Sequence, residues 1–458
     1  MTAGSSGPGL SEAATDHDVG HGDRTASRRV VVVGVAWWSL FAVTRLLPLV
    51  LTLYPSLYGP DVSDPTGDIN RYAGWANQII GQGLVPYREV DVEYPPGSLP
   101  FVVVPEMVGQ AQFSRPAFVA MMIVVDAVAY GTLLLLARRT GEGERQRAGG
   151  WGATGEGHLG VVTWLLLPPL LGVLLYARLD LLPAVALLVA LERAHARRWF
   201  TSGVWFGLGA AAKLVPALFV PLAMAAAAGR RTRLLAGVVA GGLVAWLPFA
   251  GHTGELIHDV LGYHSARGIH LESVWGSWLN LERVAGGPVE LVFEYGAFHI
   301  VGPGAGTMLR WTTALSIAIV VISALIATAR WWRRPQRARL ELPLAVTATL
   351  ALLLGTGRVF SPQFIVWLLA TAAVLFAVRP RVALWAGPLL LAIVVMTAVG
   401  YPLAFDLLRD GEHWPALLLV YRNVAVIALG VLLMLYWLWP QSSAGEGVRR
   451  DEVRNDGL

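Results

Sequence analysis

The sequence predicts an all-α polytopic membrane protein with about twelve transmembrane helices. Three observations predict it. Of the 458 residues, 55% are hydrophobic and only 14% charged, whereas about a quarter of a soluble domain is charged. Apolar runs of about 18 residues or more recur along the whole chain, enough to cross the hydrocarbon of a bilayer. The arginines gather in alternate connections, as the positive-inside rule requires. Two classes are excluded at once. Cysteine is absent, so there is no disulfide framework or thiolate chemistry. The net charge of +4 is too small and too scattered for a nucleic-acid binder.

The first 29 residues, rich in Gly, Ser, Ala, Asp and His, have the composition of a disordered cytoplasmic tail. "RTASRR" then leads into the run 30–53. That run is too long for a signal-peptide core and has no small-residue cleavage site after it, so it reads as an uncleaved first span. Eleven further spans are expected at 115–137, 159–177, 181–192, 200–212, 214–229, 234–250, 307–329, 342–355, 362–378, 382–400 and 415–438. Several are short, and those meeting near Asp180, Lys213 and Arg358 read as broken or tilted helices. The membrane body is 30–439, and the polar segment 440–458 is a second disordered tail.

With both termini inside, the inner connections hold Arg138, Arg139, Arg145 and Arg147, then Arg193, Arg197 and Arg198, then Arg230, Arg231 and Arg233, then five arginines from Arg330 to Arg339, then Arg379 and Arg381. Every such connection is basic. The two long outer loops, 54–114 and 251–306, therefore hold Asp68, Arg71, Arg88, Glu93, Arg267 and Glu272, and Arg178, Asp180, Lys213 and Arg358 fall near the same face. Work at the extracytoplasmic face is expected.

In "GDINRYAGWANQII", Tyr72, Trp75, Ala76 and Ile79 share one side of a helix, the pattern of a short interfacial helix. Asp68 stands at its start. It either caps that helix or holds a carboxylate where an acceptor hydroxyl needs a base, a role worth on the order of 10²–10⁴-fold. "YREVDVEYPPG" offers Glu89, Asp91, Glu93 and Tyr94 before a di-proline, read as a solvated acidic turn or as groups that hydrogen-bond sugar hydroxyls. "ARLDLLPA" places Arg178 and Asp180 where two spans meet, either as a short-range ion pair at the interface or with Arg178 among the cations of a site. Lys213 is the single lysine, set in an apolar run where a cation costs roughly 2.5–3.5 kcal/mol at the bilayer centre. It either snorkels or faces a polar cavity and holds an anion. "GYHSARGIHLESVWGSW" and "GTGRVFSPQFIVW" add His264, Arg267, Glu272, Arg358 and Gln363. Arginine suits phosphate because its planar fork makes paired hydrogen bonds. Arg45 and Asp126, deep within spans, read as a structural pair.

These stretches, together with "RLDLLPA" and "AAKLVPALFVP", resemble in their order the multi-span glycosyltransferases of the GT-C superfamily. The branch they resemble is glycosyltransferase family 87, the polyprenyl-phosphate-mannose-dependent α-mannosyltransferases of actinobacteria. The likeness runs from about Gly67 to Trp367. It implies a lipid-linked sugar donor, an outer-face active site in the cell membrane and a catalytic carboxylate in the first outer loop, a position matched by Asp68. It also implies a lysine-proline element, here Lys213 and Pro216, and a Ser-Pro-Gln element, here Ser361 to Gln363. The adjacent acidic pair of metal-using GT-C enzymes is lacking, so no metal and no cofactor is expected.

The resulting expectation is an inverting transferase. Asp68 is the general base. Lys213, Arg267, Arg358, His264 and Arg178 are the candidates for holding the donor phosphate. Tyr72, Glu93, Tyr94, Glu272 and Gln363 are the candidates for orienting donor sugar and acceptor. The expected partners are a polyprenyl-phosphate sugar, with mannose foremost, a glycolipid or cell-wall glycan acceptor, and the bilayer. The alternative is a polytopic transporter or lipid flippase, which twelve spans with buried charges also suit.

Overall fold

A computed structural model describes residues 19–110, 112–148 and 157–439. The tails expected at 1–29 and 440–458 lie mostly outside the described residues. Helix α1 (Val19–Leu53) already begins at Val19 rather than Val30. Residues up to Leu46 form one compact unit, in which the Arg45 guanidinium lies 4.5 Å from the centre of the Phe41 ring. Leu47–Leu458 form the other, and it contains everything that follows.

Residues 54–114 carry α2 (Gly67–Ala76) and a second short helix, the apolar α3 (Leu99–Val108). The aromatic side of α2 is covered by protein. Tyr72 packs against Tyr94 and Phe118, and Trp75 against Tyr94. Helix α4 (Arg115–Ala148) follows. Helix α5 (His158–Leu166) bends by 43° into a 3-10 segment, Pro168–Leu175. The cause is Pro168 and Pro169, which cannot donate to the helical ladder. Asp126 on α4 accepts hydrogen bonds from Trp164 Nε1 (2.7 Å) and Tyr176 Oη (2.8 Å).

Next come α6 (Leu181–His195), α7 (Trp199–Ala212), α8 (Val220–Ala226), itself preceded by a 3-10 turn at Val215–Phe219, and α9 (Arg231–Trp246). The segment 251–306 contains α10 (Thr253–Ala266), β1 (Ile269–His270), α11 (Val274–Val284), β2 (Glu290–Glu294) and β3 (Ala297–Val301). The three strands form an antiparallel sheet in the order β1-β3-β2. An all-α fold therefore needs this small correction. The bundle closes with α12 (Ala305–Arg333), α13 (Pro335–Thr356), α14 (Ile365–Val378), α15 (Pro380–Ala398), α16 (Phe405–Asp410) and α17 (His413–Leu438). The sheet and α11 share a hydrophobic core with α16 and α17, built on Ile269, Leu279, Ile300, Leu408 and Leu419.

The chain is a multi-pass membrane protein. Twelve spans are expected from sequence, and helices occupy all twelve places. Among the described residues, seven helices are long and apolar enough to cross a bilayer, or eight if the bent pair counts as one span. The others are α6, α7, α8 with its 3-10 turn, and α14. A helix of 14 or 15 residues rises about 22 Å, short of the roughly 30 Å hydrocarbon layer. Protein rather than lipid surrounds two of them: every residue of α14 from Ile365 to Ala377 is buried, and so is every residue of α6 from Leu181 to Glu192. An apolar helix enclosed by protein need not match the membrane thickness.

Glycines set the closest packing. Gly203 and Gly207 of α7 face Gly237 and Gly241 of α9. A Cβ at Gly207 would stand 2.2 Å from the Val238 carbonyl oxygen, and one at Gly241 2.2 Å from that of Val204. Only glycine lets two backbones come so near. This contact ties the ends of α7 and α9 together.

Candidate active site

Three breaks in the helical ladder meet at one end of the bundle: residues 176–180 before α6, Lys213 after α7, and 357–361 after α13. Irregular backbone at membrane depth is tolerated where it lines a cavity. Here it does. A cavity of about 350 Å³ is lined by Asp68, Arg71, Glu93, Tyr94, Arg178, Lys213, Arg267, His270, Glu272, Gln363 and Tyr401, with the tip of the β2–β3 hairpin at its mouth.

Asp68 lies in the first turn of α2, but the N-cap position belongs to Thr66. Ile69, Tyr72, Trp75 and Ala76 of α2 are buried, and this anchoring fixes where Asp68 projects. Its Oδ2 is in close contact with Arg178 Nη1. Arg178 Nη2 also donates to Tyr401 Oη at 2.9 Å. Asp180 does not pair with Arg178, as the sequence reading expected. Its Oδ1 accepts from Lys213 Nζ at 2.8 Å. The two pairs are exchanged because α2 and the break before α6 bring Asp68 to Arg178, while Lys213 ends α7 in extended backbone. That ammonium also stands 4.8–5.2 Å from the ring centres of Phe364, Tyr94 and Trp367. Lys213 therefore does not snorkel. Gly97 makes room for this corner: a Cβ there would come 2.7 Å from the Ala211 carbonyl carbon and oxygen.

On the other wall, Arg71 Nη1 donates to both oxygens of Glu93 at 3.2 Å. The hairpin turn Tyr295–Gly296, with positive φ at both residues, is of the kind that matches strand twist. Gly296 presses on the Arg71 guanidinium. Glu272 is 95% buried, with Oε1 3.7 Å from Arg422 Nη1. Burial raises its carboxyl to about 7, and Arg422 and Arg178 only partly oppose this. Arg422 also donates to the Glu272 backbone oxygen at 2.6 Å. Burial and the neighbouring Arg267 hold His270 well below the usual imidazole range, so it stays neutral. Among the described residues, no three His, Asp or Glu side chains are placed together to hold a metal ion.

Beside the cavity lies an apolar groove of about 360 Å³ lined by Leu214, Val215, Leu218, Leu350, Leu353, Leu354, Val359 and Trp367. Both spaces share Glu93, Tyr94, Lys213, Arg267 and Phe364. A polar chamber thus adjoins an apolar groove, and the wall they share carries two cations, Lys213 and Arg267, and one carboxylate, Glu93.

The family model for glycosyltransferase family 87 matches residues 93–362, more than half of the chain. The chain belongs to glycosyltransferase family 87. It is accordingly a membrane glycosyltransferase of GT-C type, with a sugar donor and an acceptor as substrates. No curated protein matches the chain. The family match begins after Asp68, so it is the tertiary structure that sets Asp68 among the matched residues Arg178, Lys213 and Arg267.

Most residues singled out from sequence converge: Asp68, Arg178, Lys213, Arg267, Glu93, Tyr94, Glu272 and Gln363 all line the chamber. Two do not. Tyr72 is fully buried and supports α2 from beneath, so direct contact with a sugar is corrected to a packing role. Arg358 does not line the chamber; its backbone oxygen accepts from the His270 N–H at 2.9 Å, and its guanidinium is kept below its usual range by burial and by Arg267. His264 belongs to α10, and its side chain lies outside the described residues. Sequence reasoning missed Tyr401, Arg422 and the hairpin tip. Arg422 alone carried a signal, as an arginine inside a span.

Proposed function

We propose that this family 87 enzyme transfers a sugar, with mannose the expected one, from a polyprenyl-phosphate donor to an acceptor hydroxyl at the extracytoplasmic face, with inversion at the anomeric carbon. One observation carries this reading: the chamber containing Asp68 adjoins the apolar groove, with Lys213 and Arg267 on the wall they share. An amphiphile whose phosphate sits between a sugar and a long hydrocarbon chain fits such a shape.

Each residue then has a role. Lys213 gives one N–H to Asp180, and its other two remain for phosphate oxygens. Arg267 adds a planar fork. Arg178, expected among the phosphate-binding cations, is instead a positioning group that holds Asp68 Oδ2 and leaves Oδ1 to take the acceptor proton. As that proton moves to Asp68, the acceptor oxygen bonds to the anomeric carbon from the face opposite the phosphate. The bond from carbon to phosphate oxygen breaks, and the electron pair leaves with the phosphate. Fixed cations at the developing charge lower the barrier. Glu93, Tyr94, Glu272 and Gln363 are left to orient hydroxyl groups.

The test pairs two measurements. Purified protein is incubated with a panel of polyprenyl-phosphate sugars and membrane lipid extract, and products are read by mass spectrometry. Asp68→Asn is then assayed on the active donor. The variant is expected to insert and bind donor normally while turning over at least about a hundredfold more slowly. Near-normal turnover refutes Asp68 as base. Product from none of these donors, with product formed when nucleotide sugars are supplied in their place, refutes the lipid donor.

A further inference from the structure

The end of the bundle remote from the chamber holds a second feature that sugar transfer does not use. Helix α6 leaves the chamber after Asp180 and ends at His195, and α7 starts at Trp199 and returns to Lys213. The loops before α7 and before α9 therefore share the far end. There a pocket of about 240 Å³ is lined by Arg197, Trp199, Arg230 and Arg339, where the start of α13 meets both loops. A second pocket of about 200 Å³ adjoins it, sharing Arg197, Trp199 and Arg230 and adding Arg198 and Arg233. No Asp or Glu lines either pocket.

The positive-inside rule explains why these loops are basic. It does not explain why five arginines, Arg197, Arg198, Arg230, Arg233 and Arg339, line two adjoining pockets that share three residues. Like charges brought near one another repel, and the glycine contact between α7 and α9 sets side by side the two helix starts at which Arg197, Arg198, Arg230 and Arg233 lie. An anion in the pocket relieves that repulsion, and phosphate oxygens match the guanidinium fork. The surroundings indicate what the phosphate is attached to. Phe200 beside the pocket is exposed, and Leu235, Val239 and Leu243 form an exposed apolar column down α9 from the same end. We propose that this arginine pocket binds the headgroup phosphate of an anionic phospholipid, with its acyl chains along α9. Basic pockets between helices at a membrane surface take such headgroups. The proposal does not depend on the reading of the chamber.

Native mass spectrometry of the full chain in mixed micelles with equal phosphatidylglycerol and phosphatidylcholine tests it. Phosphatidylglycerol is expected to be retained over phosphatidylcholine by at least about tenfold. Arg197→Gln with Arg230→Gln should cut that preference at least about fivefold, and Arg197→Lys with Arg230→Lys, which keeps the charge that directs insertion, at least about threefold. Arg138→Gln with Arg381→Gln removes two exposed charges from the basic connections without touching the pocket, and should leave the preference within about twofold. No preference in the parent, an unchanged preference in both pocket variants, or an equal loss in the control overturns the proposal. So does displacement of the lipid by about 10 mM inorganic phosphate but not by chloride of equal ionic strength, which assigns the pocket to free phosphate.

Discussion

Replacing Lys213 with Met removes one of the two cations that line both the chamber and the groove. The first consequence falls on Asp180, which is 1% exposed and bonded to Lys213 Nζ at 2.8 Å. Breaking one partner of a buried pair leaves an uncompensated charge and costs about 3–5 kcal/mol. The three ring contacts add about 0.5–1 kcal/mol each, part of which the methionine regains by packing. Lys213→Met alone should therefore lose about 3–5 kcal/mol, and adding Asp180→Asn should restore most of it by removing the stranded carboxylate. Unfolding by SDS in mixed micelles, followed by tryptophan fluorescence, measures both variants. Binding of a water-soluble short-chain polyprenyl-phosphate mannose to the folded double variant then isolates the second consequence, loss of the phosphate contact. A single variant within about 1 kcal/mol of the parent refutes the buried-pair argument. A double variant that binds donor as the parent does makes Lys213 purely structural.

Glu272 ionises at about 7 in the folded chain against 4.5 for the free group. Between those values the folded state holds a proton that the unfolded state has lost, so stability falls as pH rises, by up to about 1.4 kcal/mol per pH unit. Glu272→Gln should flatten that slope in unfolding midpoints measured from pH 4.5 to 8, and parallel slopes would contradict the burial argument. Gly207→Val drives a side chain into the Val238 carbonyl and should destabilise by at least the upper end of about 1–3 kcal/mol. Gly242→Val, which meets nothing within 4 Å, should not; equal yields of monodisperse protein from the two would disprove the close-approach account.

The places of the helices and the class of the protein were legible in the sequence, because apolar length and arginine placement answer directly to the bilayer. Eight of the residues singled out from sequence line one cavity: polar side chains in an oily chain are costly, which marked them out, although caps, solvated turns and local ion pairs accounted for each of them equally well. Resemblance to family 87 supplied the chemistry. What could not be read was how the set is wired. The sequence placed Arg178 beside Asp180, two positions apart, yet the pairs are Arg178 with Asp68 and Lys213 with Asp180. The side of α2 carrying Tyr72 looked like a lipid-facing stripe, since an apolar face has the same periodicity whether lipid or protein covers it.

By itself, then, the sequence determined that the chain crosses a membrane many times, which connections are basic, and which charges stand apart from the oil. Only the tertiary structure decided that Asp68, Arg178, Lys213 and Arg267 surround one chamber, that an apolar groove shares a wall with it, and that Arg422 from the last helix stands behind Glu272. The physical reason is range. Burial and charge preference act residue by residue and leave a mark in composition and spacing. Ion pairing and cavity shape depend on which helices touch, and that is set by contacts such as Gly207 on Val238 and Gly97 on Ala211, between residues far apart along the chain.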